Sequence, residues 1–161
     1  MTVLVIIGII VLVVIGGVLS KETRHKTPAS YHYKRRDFIM TKAENDFFDV
    51  LNQAAGGEYY VFPQVHLSSI LDHRVKGQNW QHALRCINQK SVDYVLCDKT
   101  YRRPLLAIEL DDWSHEAEAR RERDVNVEHM LQEAGIPLLR LKDVRQMGRG
   151  DVAQRIRSAL L

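Results

Sequence analysis

At 161 residues the chain allows one domain of ordinary size with a proper core. Its two cysteines, Cys86 and Cys97, lack the spacing of a metal-binding pair and fit a reducing compartment. The net charge of +3 is unevenly spread: residues 21–36 carry +5, which leaves −2 for residues 37–161, so the folded part is not globally basic.

Residues 3–19, VLVIIGIIVLVVIGGVL, contain no charge and nothing more polar than glycine. As a helix this run spans roughly 26 Å, near the lower limit for crossing a bilayer. A cleavable signal peptide is the rival reading, but it carries a basic start and small residues at a cleavage site, and here only Met1 and Thr2 precede the apolar run. Residues 1–20 therefore read as a single-pass membrane anchor. The basic segment 21–36, KETRHKTPASYHYKRR, then places the C-terminal domain in the cytoplasm, at the inner (cytoplasmic) membrane, with an affinity for anionic lipid.

Within 37–161, TKAENDFFDVLNQA reads as a helix stopped by Gly56 and Gly57, and Thr41 with Glu44 form a T-x-x-E capping box at its start. YYVFPQVHL reads as a strand whose proline marks an edge or a bend. A short helix or two are expected around Trp80 and Leu84. VDYVLCD and PLLAIELD are strands joined by KTYRR as a hairpin-like connection. EAEARRERDVNVEHMLQEAG is a helix with Val127, Leu131 and Ala134 on one face and Gly135 as its stop. IPLLRL is a further strand and DVAQRIRSALL a closing helix, and this alternating order indicates a layered α/β domain.

The acids concentrate at strand ends. Asp93 opens one strand, and Glu109 and Asp111 project from one face near the end of the next, because side chains alternate. Carboxylates converging there repel one another unless a cation lies between them, and hard oxygen ligands of this kind suit Mg²⁺ or Mn²⁺. Ion pairing to Arg120, Arg121 or Arg123 is the rival explanation. Arg140, inside an apolar strand, wants a charged partner that one of these carboxylates would supply.

The run VDYVLCD, LLAIELDDWSH, RRERD and AGIPLLRL resembles the PD-(D/E)XK nuclease superfamily, and more narrowly an uncharacterised branch related to very-short-patch-repair endonucleases. The likeness spans roughly residues 38–145. It implies a restriction-endonuclease-like α/β/α core with a mixed central sheet. It also implies metal binding by Asp93, Glu109 and the carbonyl of Leu110, with Glu44 as an acid on the first helix near the metal. Gln64 and His115 become polar partners for water or phosphate, Arg123 and Asp124 a polar turn, and Arg140 the arginine of the last strand. One departure matters: the signature lysine two residues after the second acid is here Asp111. Lys90 is a candidate replacement cation, and His115 a candidate general acid or base.

These readings lead to the expectation of a membrane-anchored, Mg²⁺-dependent domain that hydrolyses phosphodiester bonds of nucleic acid, with Asp93, Glu109, Asp111 and His115 at the catalytic centre. The alternative is a catalytically inert module of the same fold that binds nucleic acid or a protein, to which the missing lysine points. Each residue also has a purely structural role open to it: capping for Glu44, the start of the next helix for His115, and packing for Trp113.

Overall fold

The computed structural model describes residues 31–111 and 126–161, and the compact unit runs from Arg36 to Leu161. The expected anchor at 3–19 lies outside the described residues, as do Trp113, His115, Arg120, Arg121, Arg123 and Asp124. Among the described residues no helix is long and apolar enough to cross a membrane.

Helix α1 (Lys42–Ala55) shows how local chemistry sets an element's ends. The Thr41 hydroxyl accepts the Glu44 N–H at 3.3 Å, and the Glu44 carboxylate accepts the Thr41 N–H at 2.6 Å, so two otherwise orphaned donors are satisfied. Gly56 stops the helix with φ +58, a left-handed conformation that a side chain resists. Phe47, Leu51 and Ala55, four residues apart, form the buried stripe. Thr41→Ala is expected to lower domain stability by about 1 kcal/mol, measured as a shift in the urea midpoint with an unchanged slope.

Strand β1 (Tyr60–His66) follows, then a turn of 3-10 helix at Leu67–Ser69 and helix α2 (Trp80–Ile87), whose first turn is capped by the Asn79 side chain. Strands β2 (Ser91–Cys97) and β3 (Pro104–Asp111) form a hairpin. Residues 126–133 are the described part of a helix, α3, before strand β4 (Leu138–Lys142), a 3-10 turn at Val144–Gln146 and helix α4 (Arg149–Ala159). Helix α3 ends where the Ile136 N–H reaches back to the Leu131 carbonyl across Gly135, at φ +71. The last helical residue is Glu133, so Ala134 falls in the turn and is exposed rather than on the buried face expected of it.

The sheet order is β1-β2-β3-β4. The first three strands are antiparallel neighbours, while β3 and β4 run parallel, as a long connection through a helix requires. The proline-bearing β1 is at the edge among the described strands, in agreement with the sequence. One face of the sheet presents Tyr94, Leu96, Leu106, Ile108 and Leu141 to α1 and α4. The other presents Val95, Cys97 and Ala107 to Val127 and Leu131 of α3. Helices thus cover both faces, which is why β2 is nearly continuously apolar from Tyr94 to Cys97.

Candidate functional site

The β2–β3 ladder ends with the pair Tyr94–Ile108, and Asp93 and Glu109 are the next residues beyond it on the two strands. On the β4 side Glu109 pairs with Arg140. On the β1 side Pro63 pairs with Tyr94 and Val65 with Val92, which leaves Gln64 across from Asp93. Gln64, Asp93, Glu109 and Arg140 therefore fall at one level of the sheet, in a row of which Glu109 and Arg140 are the paired members. All four are half-buried. Each was a candidate from the sequence, and the register is what brings them together.

Two features separate this row from ordinary ladder geometry. Gln64 has φ +52 in mid-strand, a conformation costly for a residue with a Cβ, and such strain concentrates where the surroundings over-determine the backbone. Two residues past Ile108 on β3, the Leu110 N–H donates to the Asp93 carboxylate at 2.8 Å. Asp93 is thereby held against the backbone of β3, next to Glu109 and the Leu110 peptide.

The Arg140 guanidinium lies on the same side. Its Nη1 is 2.9 Å from Glu109 Oε2 and 3.1 Å from Asp111 Oδ1, and its Nε is 4.0 Å from Glu128 on α3. Glu109 and Asp111 share a face, and parallel pairing with β4 puts Arg140 across from the first of them. The side chains of Arg140, Glu109 and Asp111 are 24%, 16% and 28% exposed, so the pairs are screened less than surface ones. Arg140 thus pairs with both Glu109 and Asp111. Among the described residues no three His, Cys, Asp or Glu side chains group closely enough to hold a metal ion.

Asp93, bonded to the Leu110 N–H, and Glu109, paired with Arg140, bring two carboxylates next to the Leu110 peptide. Mg²⁺ is bound through one or two carboxylates while it keeps several waters, so this donor set fits that ion at its minimum. Glu44 is placed differently. Its carboxylate closes the capping box, and its carbonyl accepts the Tyr94 hydroxyl, on the face covered by α1. Burial, with the nearby Glu44 and Asp93 carboxylates, pushes the Tyr94 phenol well above its usual range, so it stays a proton donor. Lys90 is half-buried just before β2, with its carbonyl accepting the Leu67 N–H at 2.9 Å, at the same sheet end as Asp93.

Sequence reasoning passed over the β2–β3 turn. Asp98 Oδ1 accepts the backbone N–H groups of Thr100, Tyr101 and Arg102, and these bonds, led by that from Tyr101, hold its carboxyl below the ordinary aspartate value. An aspartate at the start of a tight turn was the available signal.

No curated protein and no solved structure matches the chain. The model of one family, described as protein of unknown function (DUF2726), matches residues 36–160, nearly the whole compact unit and the complete four-residue row. The chain belongs to that DUF2726 family.

Proposed function

We propose that the row Gln64–Asp93–Glu109–Arg140 is the hydrolytic centre of a PD-(D/E)XK-like nuclease of the very-short-patch-repair type, acting on phosphodiester bonds of nucleic acid. The observation that carries this reading is the placement of Asp93 and Glu109 side by side beyond the last β2–β3 pair, with a guanidinium on the flank of the second. The mixed sheet with helices on both faces is the layering expected of a restriction-endonuclease-like core.

In this reading Asp93, Glu109 and the Leu110 carbonyl hold Mg²⁺ or Mn²⁺. When bound, the ion would polarise the phosphate and lower the pKa of a coordinated water. The chain's own residues do the rest. Asp93 is oriented by the Leu110 N–H, so its carboxylate does not need to reorganise. Arg140 would supply from β4 the cation for a developing phosphorane charge that the signature lysine would bring at position 111. Asp111 fixes the guanidinium from the other side. Gln64 and Lys90 flank the same sheet end as polar partners for water or phosphate, and His115 is retained as the proton-transfer group. Residues 3–19 anchor the domain to the inner membrane, with 21–36 at its cytoplasmic surface.

A second reading has a specific observation behind it. Arg140 already compensates both Glu109 and Asp111, as it would in an inert module that keeps the fold for binding. Calorimetric titration of Mn²⁺ into the chain separates the two. The hydrolytic reading expects saturable binding that Asp93→Ala and Glu109→Ala each abolish, together with cleavage of DNA or RNA. Absence of binding, with and without a short duplex present, would leave the inert module.

A further inference from the structure

The opposite end of the β2–β3 hairpin carries an aromatic and cationic cluster that the carboxylate row does not use. Tyr60 begins the edge strand β1 opposite Cys97, the last residue of β2, so it sits against the turn that follows. Its ring lies 6.4 Å from that of Phe62, tilted by 52°. Lys99 Nζ stands 4.3 Å from the Tyr60 ring centre and Arg102 Cζ 5.2 Å from it, while Arg103 Cζ is 5.2 Å from the ring of Tyr101. Tyr60, Phe62 and Tyr101 are 37%, 42% and 73% exposed, so all three rings are open to a ligand.

The turn is built to hold this arrangement. Asp98 ties down three successive N–H groups, and Arg102 takes φ +57. Ring contacts orient a cation without neutralising it, whereas an ion pair would cancel its charge. Among the described residues no carboxylate forms an ion pair with Lys99, Arg102 or Arg103. The acids nearest in sequence are Glu58 and Asp98, and one oxygen of Asp98 is committed to the turn. Lysines alone would suffice to guard a sheet edge against pairing. Three exposed rings beside them are what such a guard avoids, because they add the apolar surface that invites association.

Rings that are open on the surface reach bases that are themselves unstacked, and unpaired strands present such bases next to phosphate. We propose that Tyr60, Phe62 and Tyr101 with Lys99, Arg102 and Arg103 form a binding site for single-stranded nucleic acid. The rings and the Arg102 and Arg103 guanidinium planes stack on bases, and the three cations face phosphates. Asp93 lies four residue steps before Cys97, about 13 Å along the strand, so a strand held here leads toward the carboxylate row within a few nucleotides. The proposal does not depend on hydrolysis, because binding without cleavage satisfies it.

The test is fluorescence anisotropy of a labelled twelve-nucleotide oligo-dT with the full chain in detergent micelles. EDTA is present, so failure of the hydrolytic reading leaves the result untouched. Two variants separate the parts: Lys99→Gln with Arg102→Gln and Arg103→Gln, and Tyr60→Leu with Tyr101→Leu. The wild-type chain is expected to bind with a log–log salt slope of about −2 for three phosphate contacts to a single strand. The charge variant should bring that contribution to the slope close to zero. The ring variant should weaken binding about tenfold while leaving the slope in place. Both should keep the wild-type melting temperature, since they change exposed positions. A chain that leaves the oligonucleotide free overturns the proposal. So does binding undiminished in both variants, which would place the contact on the basic segment 21–36, and so does tighter binding of a duplex of the same length.

Discussion

Arg140→Met is expected to destabilise the domain by about 2–3 kcal/mol, between the near-zero value of an exposed ion pair and the 3–5 kcal/mol seen when one partner of a buried pair is removed. Methionine keeps most of the aliphatic length, so lost packing contributes little. What remains is the charge of Glu109 and Asp111 on one sheet face, each largely withdrawn from water, with the shared guanidinium gone. A double-mutant cycle with Glu109→Gln isolates that term. The two substitutions share a contact, so their effects should fall short of additive by about 1–2 kcal/mol in urea unfolding. Additive effects, each below about 0.5 kcal/mol, would mean that water screens the pair and that Arg140 is not what holds the two acids together. The cycle bears on function as well, because the variant that relieves Glu109 of its partner is the one in which Mn²⁺ should bind more tightly.

Leu106→Ala carries the larger stability effect. Leu106 is fully buried in β3, paired with the equally buried Leu96 of β2, on the face covered by α1 and α4. Both neighbouring strands and both helices are fixed by their own contacts, so the space it leaves does not collapse. The expected cost is about 3–4 kcal/mol, the sum of lost transfer energy and cavity. That corresponds to a fall in melting temperature of roughly 10–15 °C for a domain of this size. Phe62→Ala on the exposed edge is the contrast and should stay within about 0.5 kcal/mol. Similar losses at the two positions would show that the sheet is not the centre of the core.

Much of the frame is local and was readable in the residues. The capping box at Thr41 and Glu44 and the glycine at position 56 mark both ends of α1, because the groups they satisfy lie within four residues of them. Alternation in PLLAIELD put Glu109 and Asp111 on one face before any partner was known. Proline in β1 pointed to an edge, since it removes a ladder donor. Asp93, Glu109 and Arg140 were each singled out by residue type and position, the last because a charge inside an apolar strand needs company, while Gln64 came only from the family resemblance.

What the residues could not disclose is which partner each of them meets. Parallel pairing of β3 with β4 joins Glu109 to a residue 31 positions later, and a shift of one residue would turn Arg140 to the opposite face. Register of that kind is set by the burial of Leu138, Leu139 and Leu141 on two sheet faces at once, a property of the assembled core. A metal ion and arginines of the next helix stood as compensations for the acids in the sequence, and the tertiary structure adds a pairing of both Glu109 and Asp111 with Arg140. The left-handed turn of Gln64 and the rings gathering Lys99 and Arg102 belong to the same class, because each depends on how neighbouring strands align. The sequence by itself determined the elements, their order and the polar residues worth following. The fold alone decided their pairing, since that pairing minimises the free energy of contacts distant along the chain.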